Sequence, residues 1–240
     1  MNIQAHKRII AAAAAVIATL ILTAGCAPAE QPDSPPAAPQ LTVSASDADS
    51  ALSEKYDFKP NDSGYTVTAY KGEGGDETLP AMYRGEPVTA IGDGAFVNCD
   101  RLTSLVVPEG VTSIGDSVFY GCDRLVTVEL PSTVVSIGQG AFTKCVSLRS
   151  VNVPAGLTEI NISTFYGCTA LESVTIPEGV TSIGISAFNY CNSIGTITIP
   201  DSVETISYRA FWECTITVRA PHEPDYYGYT PDRHVTWVTE

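Results

Sequence analysis

The sequence predicts a β-rich α/β solenoid, built of stacked 23-residue coils with parallel strands, short helical turns and capping strands at both ends. The first observation is that four residue types recur every 23 residues in one register. The ladders are proline (Pro108, Pro131, Pro154, Pro177, Pro200), phenylalanine (Phe96, Phe119, Phe142, Phe165, Phe188, Phe211), cysteine (Cys99, Cys122, Cys145, Cys168, Cys191, Cys214) and isoleucine (Ile91, Ile114, Ile137, Ile160, Ile183, Ile206). The second is that a unit this small cannot bury its own apolar side, so successive units must cover one another.

Each part of a coil has a local signal when the proline is counted as position 1. Apolar residues at positions 21 and 23 alternate with polar residues at 20 and 22, which is the period of a strand. The next proline cannot donate to a ladder and ends that strand. Glycine at position 8 turns the chain, as at Gly92 and Gly184. The Ala-Phe-x-x-Cys stretch forms a short helical turn at most, and equivalent strands should lie about 4.8 Å apart in a parallel sheet.

Residues 171–191 carry the pattern most completely, as Leu-x-x-Val-x-Ile-Pro followed by Val-Thr-Ser-Ile-Gly-x-x-Ala-Phe-x-x-Cys. This pattern resembles the BspA-like class of bacterial leucine-rich repeats, and the resemblance extends from about Gly85 to Cys214. The departures are Asn161 and Ser207 in place of the turn glycine, and Val118 and Thr164 in place of the alanine. The resemblance implies a leucine-rich-repeat solenoid that works as a non-catalytic cell-surface binding module, for adhesion to host matrix or to other cells.

The N-terminus has the features of an export signal. Lys7 and Arg8 precede an apolar run from Ile9 to Leu22, which is too short to cross a membrane comfortably and is typical of a secretory segment. The ending Leu-Thr-Ala-Gly-Cys at residues 22–26 resembles a bacterial lipobox, which implies that Cys26 is lipidated and becomes the first mature residue. Ordinary signal cleavage, with Cys26 an incidental thiol, is the alternative. The resemblance thus predicts a protein held at the bacterial cell surface through a lipid anchor.

Composition divides the rest of the chain. After a signal peptide at residues 1–25, residues 26–56 are rich in Pro, Ala and Ser and predict a disordered tether. Residues 57–84 predict an N-terminal β cap, a hairpin in which the strand Tyr65–Tyr70 is followed by a second short strand at Leu79. Six repeats occupy residues 85–221, and residues 222–240 form a C-terminal cap that closes with a strand beginning at His234.

Charge and side-chain chemistry exclude several functions. The net charge is −14, and −16 without Lys7 and Arg8, which disfavours nucleic acid as a partner. The repeat cysteines contain no Cys-x-x-Cys pair and no nearby histidine, so no metal or other cofactor is expected. Disulfides between neighbouring coils are possible in an exported protein, although stacked side chains point in parallel and favour buried thiols. His222 and His234 lack a nucleophile pattern, so no catalytic residue and no enzyme activity are predicted.

Two surfaces remain as candidate binding sites. The first is the outward side of the strands at positions 20 and 22, with two bordering residues at position 19. Its members are Ser104, Val106, Thr127, Glu129, Arg149, Ser150, Asn152, Glu172, Ser173, Thr175, Thr196 and Thr198. The second surface consists of aromatic residues near the phenylalanine turn, namely Tyr120, Tyr166, Tyr190 and Trp212. A protein ligand is predicted for the strand face; a glycan ligand, or a structural role in the envelope, is the alternative.

Overall fold

A computed structural model describes residues 45–239 of the chain. The predicted signal peptide, Cys26 and most of the predicted tether lie outside the described residues. The elements in chain order are α1 (Ala45–Lys55), β1 (Tyr56–Asn61), β2 (Gly64–Tyr70), β3 (Gly75–Thr78), β4 (Met82–Tyr83), β5 (Glu86–Ile91), β6 (Leu102–Val106), β7 (Ser113–Ile114), β8 (Thr127–Glu129), β9 (Ser136–Ile137), β10 (Ser150–Val151), β11 (Glu159–Ile160), β12 (Ser182–Ile183), β13 (Thr196–Thr198), β14 (Thr205–Ile206), β15 (Ile216–Ala220), a 3₁₀ turn (Pro224–Tyr227) and β16 (Val235–Thr239). Within residues 45–239, no helix combines the length and the apolar character needed to cross a membrane.

The predicted parallel sheet is confirmed at positions 20–22 of the coils. Strands β3, β6, β8 and β10 pair side by side in parallel, and β13, β15 and β16 form a second parallel group nearer the C-terminus. One residue of each coil pairs with the residue 23 positions further on, as Ser104 does with Thr127 and Thr127 with Ser150. The coils therefore stack in the register that the sequence ladders predict.

Each coil also contributes a second strand that the sequence analysis did not predict. It covers positions 6 and 7, and in the first coil it is longer, so that β5, β7 and β9 form one parallel ladder and β11, β12 and β14 another. The ladder is interrupted at Asn161, which replaces the turn glycine. In the coil before, the amide of Gly138 donates to the carbonyl of Ile114 at 2.8 Å, whereas Asn161 reaches the carbonyl of Ile137 with its side-chain Nδ2 at 3.3 Å.

The expected helical turn after position 9 is a pair of tight turns. Positions 10 and 14 have positive φ in all six coils, for example 62° at Gly140 and 60° at Lys144. A right-handed helix cannot continue through such residues, so helical backbone is limited to the three residues between them. Inside this segment the amides of Thr143 and Cys145 donate to carbonyls three residues earlier.

The core is a column of aromatic rings that runs through all six coils. The ring centroids of neighbouring phenylalanines, from Phe96 to Phe211, lie 5.1–5.6 Å apart, and the last four neighbouring pairs are stacked within 19° of parallel. Tyr70 stacks on Phe96 at one end, and Tyr229 meets Phe211 edge-on at the other. Because every phenylalanine of the column is buried, the column is the apolar spine of the solenoid.

The N-terminal cap begins earlier than the sequence predicted. Residues 45–56, assigned above to the tether, form α1 and the start of β1, and Tyr56 is buried. Lys55 forms an ion pair with the buried carboxylate of Glu77, and the hydroxyl of Ser53 lies 2.8 Å from that of Tyr83. These contacts hold a segment of low hydrophobicity against the first coil, and the prediction of disorder is therefore wrong for residues 45–56.

The predicted hairpin also has different partners. Strand β2 pairs antiparallel with β1 and parallel with β5, while Leu79 lies just after β3 and outside any strand. Strand β3 joins the sheet of β6 instead. At the other end, β16 confirms the predicted closing strand and pairs in parallel with β15. The indole Nε1 of Trp237 donates to the carbonyl of His222 at 3.0 Å, which fixes the C-terminal cap to this strand.

Candidate binding surfaces

The strand face points outward, as predicted. Ser104, Thr127, Ser150 and Ser173 pair in one row across four neighbouring coils. The residues that follow them in the chain, such as Val128, are buried in the core. The second row contains Val106, Glu129, Asn152 and Thr175 at position 22, and all four side chains are exposed. In the C-terminal strand group, Thr196 and Thr198 are exposed in the same way. The face is therefore a flat array of mostly small polar side chains.

Some residues of the strand face already have partners within the chain. Asn152 donates from Nδ2 to the carbonyl of Leu130 at 2.6 Å and accepts from the amide of the same residue at 2.9 Å. Arg149 and Glu172 form an ion pair at 2.8 Å across two coils, with both side chains more than half exposed. Such exposed pairs contribute little stability, which leaves both groups available to an incoming ligand.

The structure extends the face at both ends with residues that the sequence analysis missed. At the N-terminal end, Asp76 accepts hydrogen bonds from the hydroxyls of Ser104 (2.8 Å) and Thr103 (2.7 Å), which lower the pKa of this carboxyl. At the C-terminal end, Thr217 pairs with Thr196, and Arg219 pairs with Thr198. The last coil is two residues shorter than the others, because Thr196 pairs with a residue 21 positions further on. The alternation in Ile216-Thr217-Val218 would have revealed Thr217 and Arg219 if this difference had been taken into account.

The aromatic residues of the second surface lie on the turn side of the coils. Tyr190 is 41% exposed, whereas Tyr120, Tyr166 and Trp212 are partly covered. The rings of Tyr166 and Tyr190 meet edge-on at 5.7 Å, and the ammonium of Lys144 lies 5.5 Å from the ring centroid of Tyr120. Neighbouring coils therefore partly cover these rings, and each still presents an edge or a face to solvent.

The structure adds three residues to this aromatic surface. They stand at position 9 of the last three coils, where the backbone amides that follow Ile162 and Ile185 link consecutive coils. Ile162, Ile185 and Tyr208 are 38%, 45% and 66% exposed. In the first three coils the same position holds Asp93, Asp116 and Gln139. The turn side thus changes from polar to apolar along the solenoid, and we call its C-terminal half, with Tyr166, Tyr190 and Trp212, the aromatic turn face.

The six cysteines of the repeats are free thiols in the structure. Five are buried, and burial raises the pKa of the thiols of Cys145, Cys168, Cys191 and Cys214, to about 12 for Cys145 and Cys214. The pKa of the fifth, Cys122, is raised by its interaction with the thiol of Cys99 and by burial. Cys99, at the N-terminal end of the ladder, is partly exposed, and its interaction with the thiol of Cys122 lowers its pKa. Among residues 45–239, no group of three or more His, Cys, Asp or Glu side chains is arranged to hold a metal ion.

Stacked 23-residue coils, two parallel strand ladders and an exposed polar strand face define a bacterial leucine-rich-repeat solenoid. The chain belongs to the BspA-type leucine-rich repeat family, whose sequence profile matches residues 89–217 as six copies. No curated protein matches the chain.

Two solved structures show the same fold. A leucine-rich cell surface protein from Faecalibacterium prausnitzii is 40% identical over 69% of this chain, with a TM-score of 0.64. The match spans 46% of that protein's chain. The T. pallidum leucine-rich repeat protein is 27% identical, with a TM-score of 0.60, and the match covers 69% of this chain and 84% of that one. The likeness covers the repeats and leaves open what each protein binds.

Proposed function

We propose that the chain is a non-catalytic binding module at the bacterial cell surface, displayed as a lipoprotein, and that a partner protein docks on its strand face. The observation that carries the proposal is the row of Thr127, Ser150 and Ser173. Their hydroxyls form no hydrogen bond with any other residue between 45 and 239, although each lies in register with its neighbours. Donors and acceptors arranged at a regular spacing on a rigid sheet are available to an external partner.

The shape of the row suits a protein ligand. Small side chains let a partner backbone approach closely, and neighbouring coils repeat the array about every 4.8 Å. A stable interface buries about 800 Å² on each partner, so the ligand must extend along several coils and reach the border of the strand face at position 19. That border contains the exposed Arg149–Glu172 pair, which supplies one charge of each sign for orientation.

A triple lysine variant tests the strand face. Changing Thr127, Ser150 and Ser173 to lysine should block a docked protein through bulk and unmatched charge, with little loss of stability. The matched control places lysines at three exposed positions of the same three coils, Thr112, Val135 and Thr158. Binding of the full chain to immobilised matrix proteins and to bacterial cells should fall at least tenfold in the first variant and stay unchanged in the control. Equal binding by both variants would contradict the proposal.

Lipoprotein display is tested separately, because Cys26 lies outside the described residues. The Cys26→Ser variant should lose its acyl chains and leave the membrane fraction, since an export signal alone gives no durable anchor after cleavage. Metabolic labelling with a fatty-acid analogue and cell fractionation measure both effects. Membrane association that persists without labelling would show that the apolar segment at residues 9–22 is retained as the anchor.

The aromatic turn face favours glycan binding as a second candidate function, because exposed tyrosine and tryptophan rings offer flat apolar surfaces. The two candidates predict opposite results for one pair of variants. Should the triple lysine variant bind normally while Tyr166→Ala combined with Trp212→Ala loses binding, the recognition surface is the aromatic one. A purely structural role in the envelope predicts that neither variant changes binding.

A further inference from the structure

The C-terminal end of the aromatic turn face carries an arginine held between two rings. The guanidinium carbon of Arg209 lies 4.9 Å from the ring centroid of Tyr208 and 4.8 Å from that of Trp212. Stacking on the rings orients the guanidinium plane and leaves its N–H edges available. Arg209 is exposed and forms no ion pair with any of residues 45–239. A cation that lies against two rings and has no ion-pair partner among residues 45–239 is a ready receptor for a carboxylate.

A cavity of about 580 Å³ lies at the N-terminal cap, and a smaller cavity shares Trp212 with the rings around Arg209. It measures about 360 Å³ and is lined by Trp212, Glu213, Asp232, Arg233 and His234. That volume is within the range of small-molecule sites. Trp212 belongs both to this cavity and to the pair of rings around Arg209, so the cavity and the guanidinium share one aromatic wall.

Two arginines, Arg209 and Arg233, lie close to the cavity, although the chain as a whole is acidic. The carboxylate of Asp232 already accepts hydrogen bonds from the amides of Glu213 (2.9 Å) and His234 (2.8 Å). The Nε of Arg233 donates to Nε2 of His234 at 2.9 Å, which leaves the two terminal nitrogens of that guanidinium available. Arg209 and Arg233 therefore stand near Trp212 together with the carboxylates of Asp232 and Glu213. Of these two acids, Glu213 has no side-chain hydrogen bond or ion pair with residues 45–239.

We propose that Tyr208, Arg209 and Trp212, with the adjoining cavity, form a binding site for a sugar that carries a carboxylate. The apolar face of a pyranose ring can stack on an indole, while a carboxylate on the same ring accepts two parallel hydrogen bonds from a guanidinium. A glutamate side chain of a peptide would satisfy the arginine and leave the rings uncovered. A neutral sugar would cover the rings and leave the arginine without an acceptor. An acidic sugar matches both features.

The neighbouring coils supply room for more than one sugar unit. Tyr190 and Tyr166 continue the exposed rings away from Trp212, and Ile185 and Ile162 continue the apolar strip from Tyr208. Because the coils repeat at about 4.8 Å, this surface runs along the axis of the solenoid for three coils. An oligosaccharide could therefore lie along it with one acidic unit at Arg209.

Calorimetry on the full chain with four probes tests the chemistry. Trigalacturonate and sialyllactose represent the two common sources of sugar carboxylates, and binding of either supports the proposal. The methyl ester of trigalacturonate keeps the rings and removes the charge, and oligoglutamate keeps the charge and removes the rings; each should bind at least tenfold more weakly. Equal binding of the ester would overturn carboxylate recognition. Binding of oligoglutamate alone would make the site one for an acidic peptide, and no binding of any probe would dismiss it.

Variants then locate the site. Arg209→Gly removes the guanidinium at a residue whose φ of 59° suits glycine, so the fold should be kept while the affinity for the acidic sugar falls at least tenfold. Trp212→Ala should reduce the affinity for the ester and for the acid alike, since it removes the stacking surface. The control Arg124→Gln changes an exposed arginine of the second coil and should bind normally.

This test is independent of the strand face, because the site uses different repeat positions. The triple lysine variant should bind the acidic sugar as the unchanged chain does, whatever happens to its protein partner. Unchanged affinity in both Arg209→Gly and Trp212→Ala would show that the sugar binds elsewhere and would refute the site.

Discussion

The thiol of Cys145 donates a hydrogen bond to the backbone carbonyl of Phe119, one coil earlier, with 3.0 Å between Sγ and O. The other four buried cysteines form the same hydrogen bond. It runs from Cys122 to Phe96, Cys168 to Phe142, Cys191 to Phe165 and Cys214 to Phe188, at 2.8–3.1 Å. A thiol is small and apolar enough for the core and is still a weak donor. Each sulfur is thus directed at the carbonyl of the coil before it, which explains why the ladder consists of thiols.

Thiol labelling should separate one cysteine from the other five. In the folded Cys26→Ser variant, Cys99 should react rapidly with a thiol reagent at neutral pH, because it is partly exposed and its pKa is lowered. The buried five should react only in denaturant, without prior reduction. Mass spectrometry of the labelled sites measures both phases, and Cys99→Ala supplies the control that lacks the fast one. If reductant is needed before all six label, the cysteines form disulfides and the thiol ladder is wrong.

Stability should fall as the pH rises from about 9 towards 12. An ordinary thiol has a pKa near 9.0, whereas burial raises the pKa of Cys145 and of Cys214 to about 12. Between these values the unfolded chain has released protons that the folded chain still holds, so ionisation favours unfolding. Tyr70, whose pKa burial and a hydrogen bond to Glu77 raise from 10.0 to about 12, adds to the loss above pH 10.

Urea titrations in the presence of reductant at pH 7, 9, 10 and 11 measure this dependence. The variant Cys145→Ala should be less stable at neutral pH, yet should lose less stability on going to pH 11, since it has one buried thiol fewer. A free energy of unfolding that stays constant up to pH 11 would contradict the raised pKa values.

Phe142 is expected to be the most costly single truncation in the middle of the column. Its ring stacks between Phe119 at 5.1 Å and Phe165 at 5.4 Å, and it is fully buried. Phe142→Ala should lower the free energy of unfolding by about 3–5 kcal/mol, because the coils on either side cannot close the gap. The partly exposed Tyr120 is the control, and Tyr120→Ala should cost much less. A thermal melt in which both variants lose the same stability would rule out the buried column.

Lys55 and Lys71 of the N-terminal cap should differ in their effect on stability. Lys55→Ala leaves the buried carboxylate of Glu77 with the hydroxyl of Tyr70 as its partner and should cost about 1–3 kcal/mol. Lys71→Ala breaks an exposed ion pair with Asp57 and an exposed hydrogen bond to the carbonyl of Ser53, and should cost less than about 1 kcal/mol. Chemical denaturation and proteolysis near residue 50 compare the two. Equal losses would mean that the ion pair at Glu77 does not hold α1 in place.

The stacking of the repeats could be predicted because each ladder residue makes the same contact in every coil. The second strand could not, since it is two residues long and two residues carry no alternation. Helix α1 could not be predicted for a different reason. Its residues are mostly small or polar, and it depends on Glu77 and Tyr83, which are distant in sequence.

For the candidate surfaces, too, the sequence predicted which positions face outward and did not predict the contacts of individual side chains. Position within the coil shows that Ser150 faces outward, and it cannot show that the amide of Asn152 is already bonded to Leu130. Tyr208 was missed because its position holds aspartate or glutamine in the first half of the solenoid. The pairing of Arg209 with two rings depends on side-chain directions in the last coil, which no repeat pattern encodes.

The ring column has a tyrosine at each end, Tyr70 on Phe96 and Tyr229 on Phe211, and every contact between them is one phenylalanine on another. The contact between each cap and the ring column is therefore the same whatever the number of coils between the two caps. Excising residues 131–153 would join Leu130 to Pro154, bringing together two coils that present the same ladder residues to each other. The length of the solenoid is accordingly adjustable in whole units of 23 residues, by loss or duplication of internal gene segments, with both caps retained unchanged.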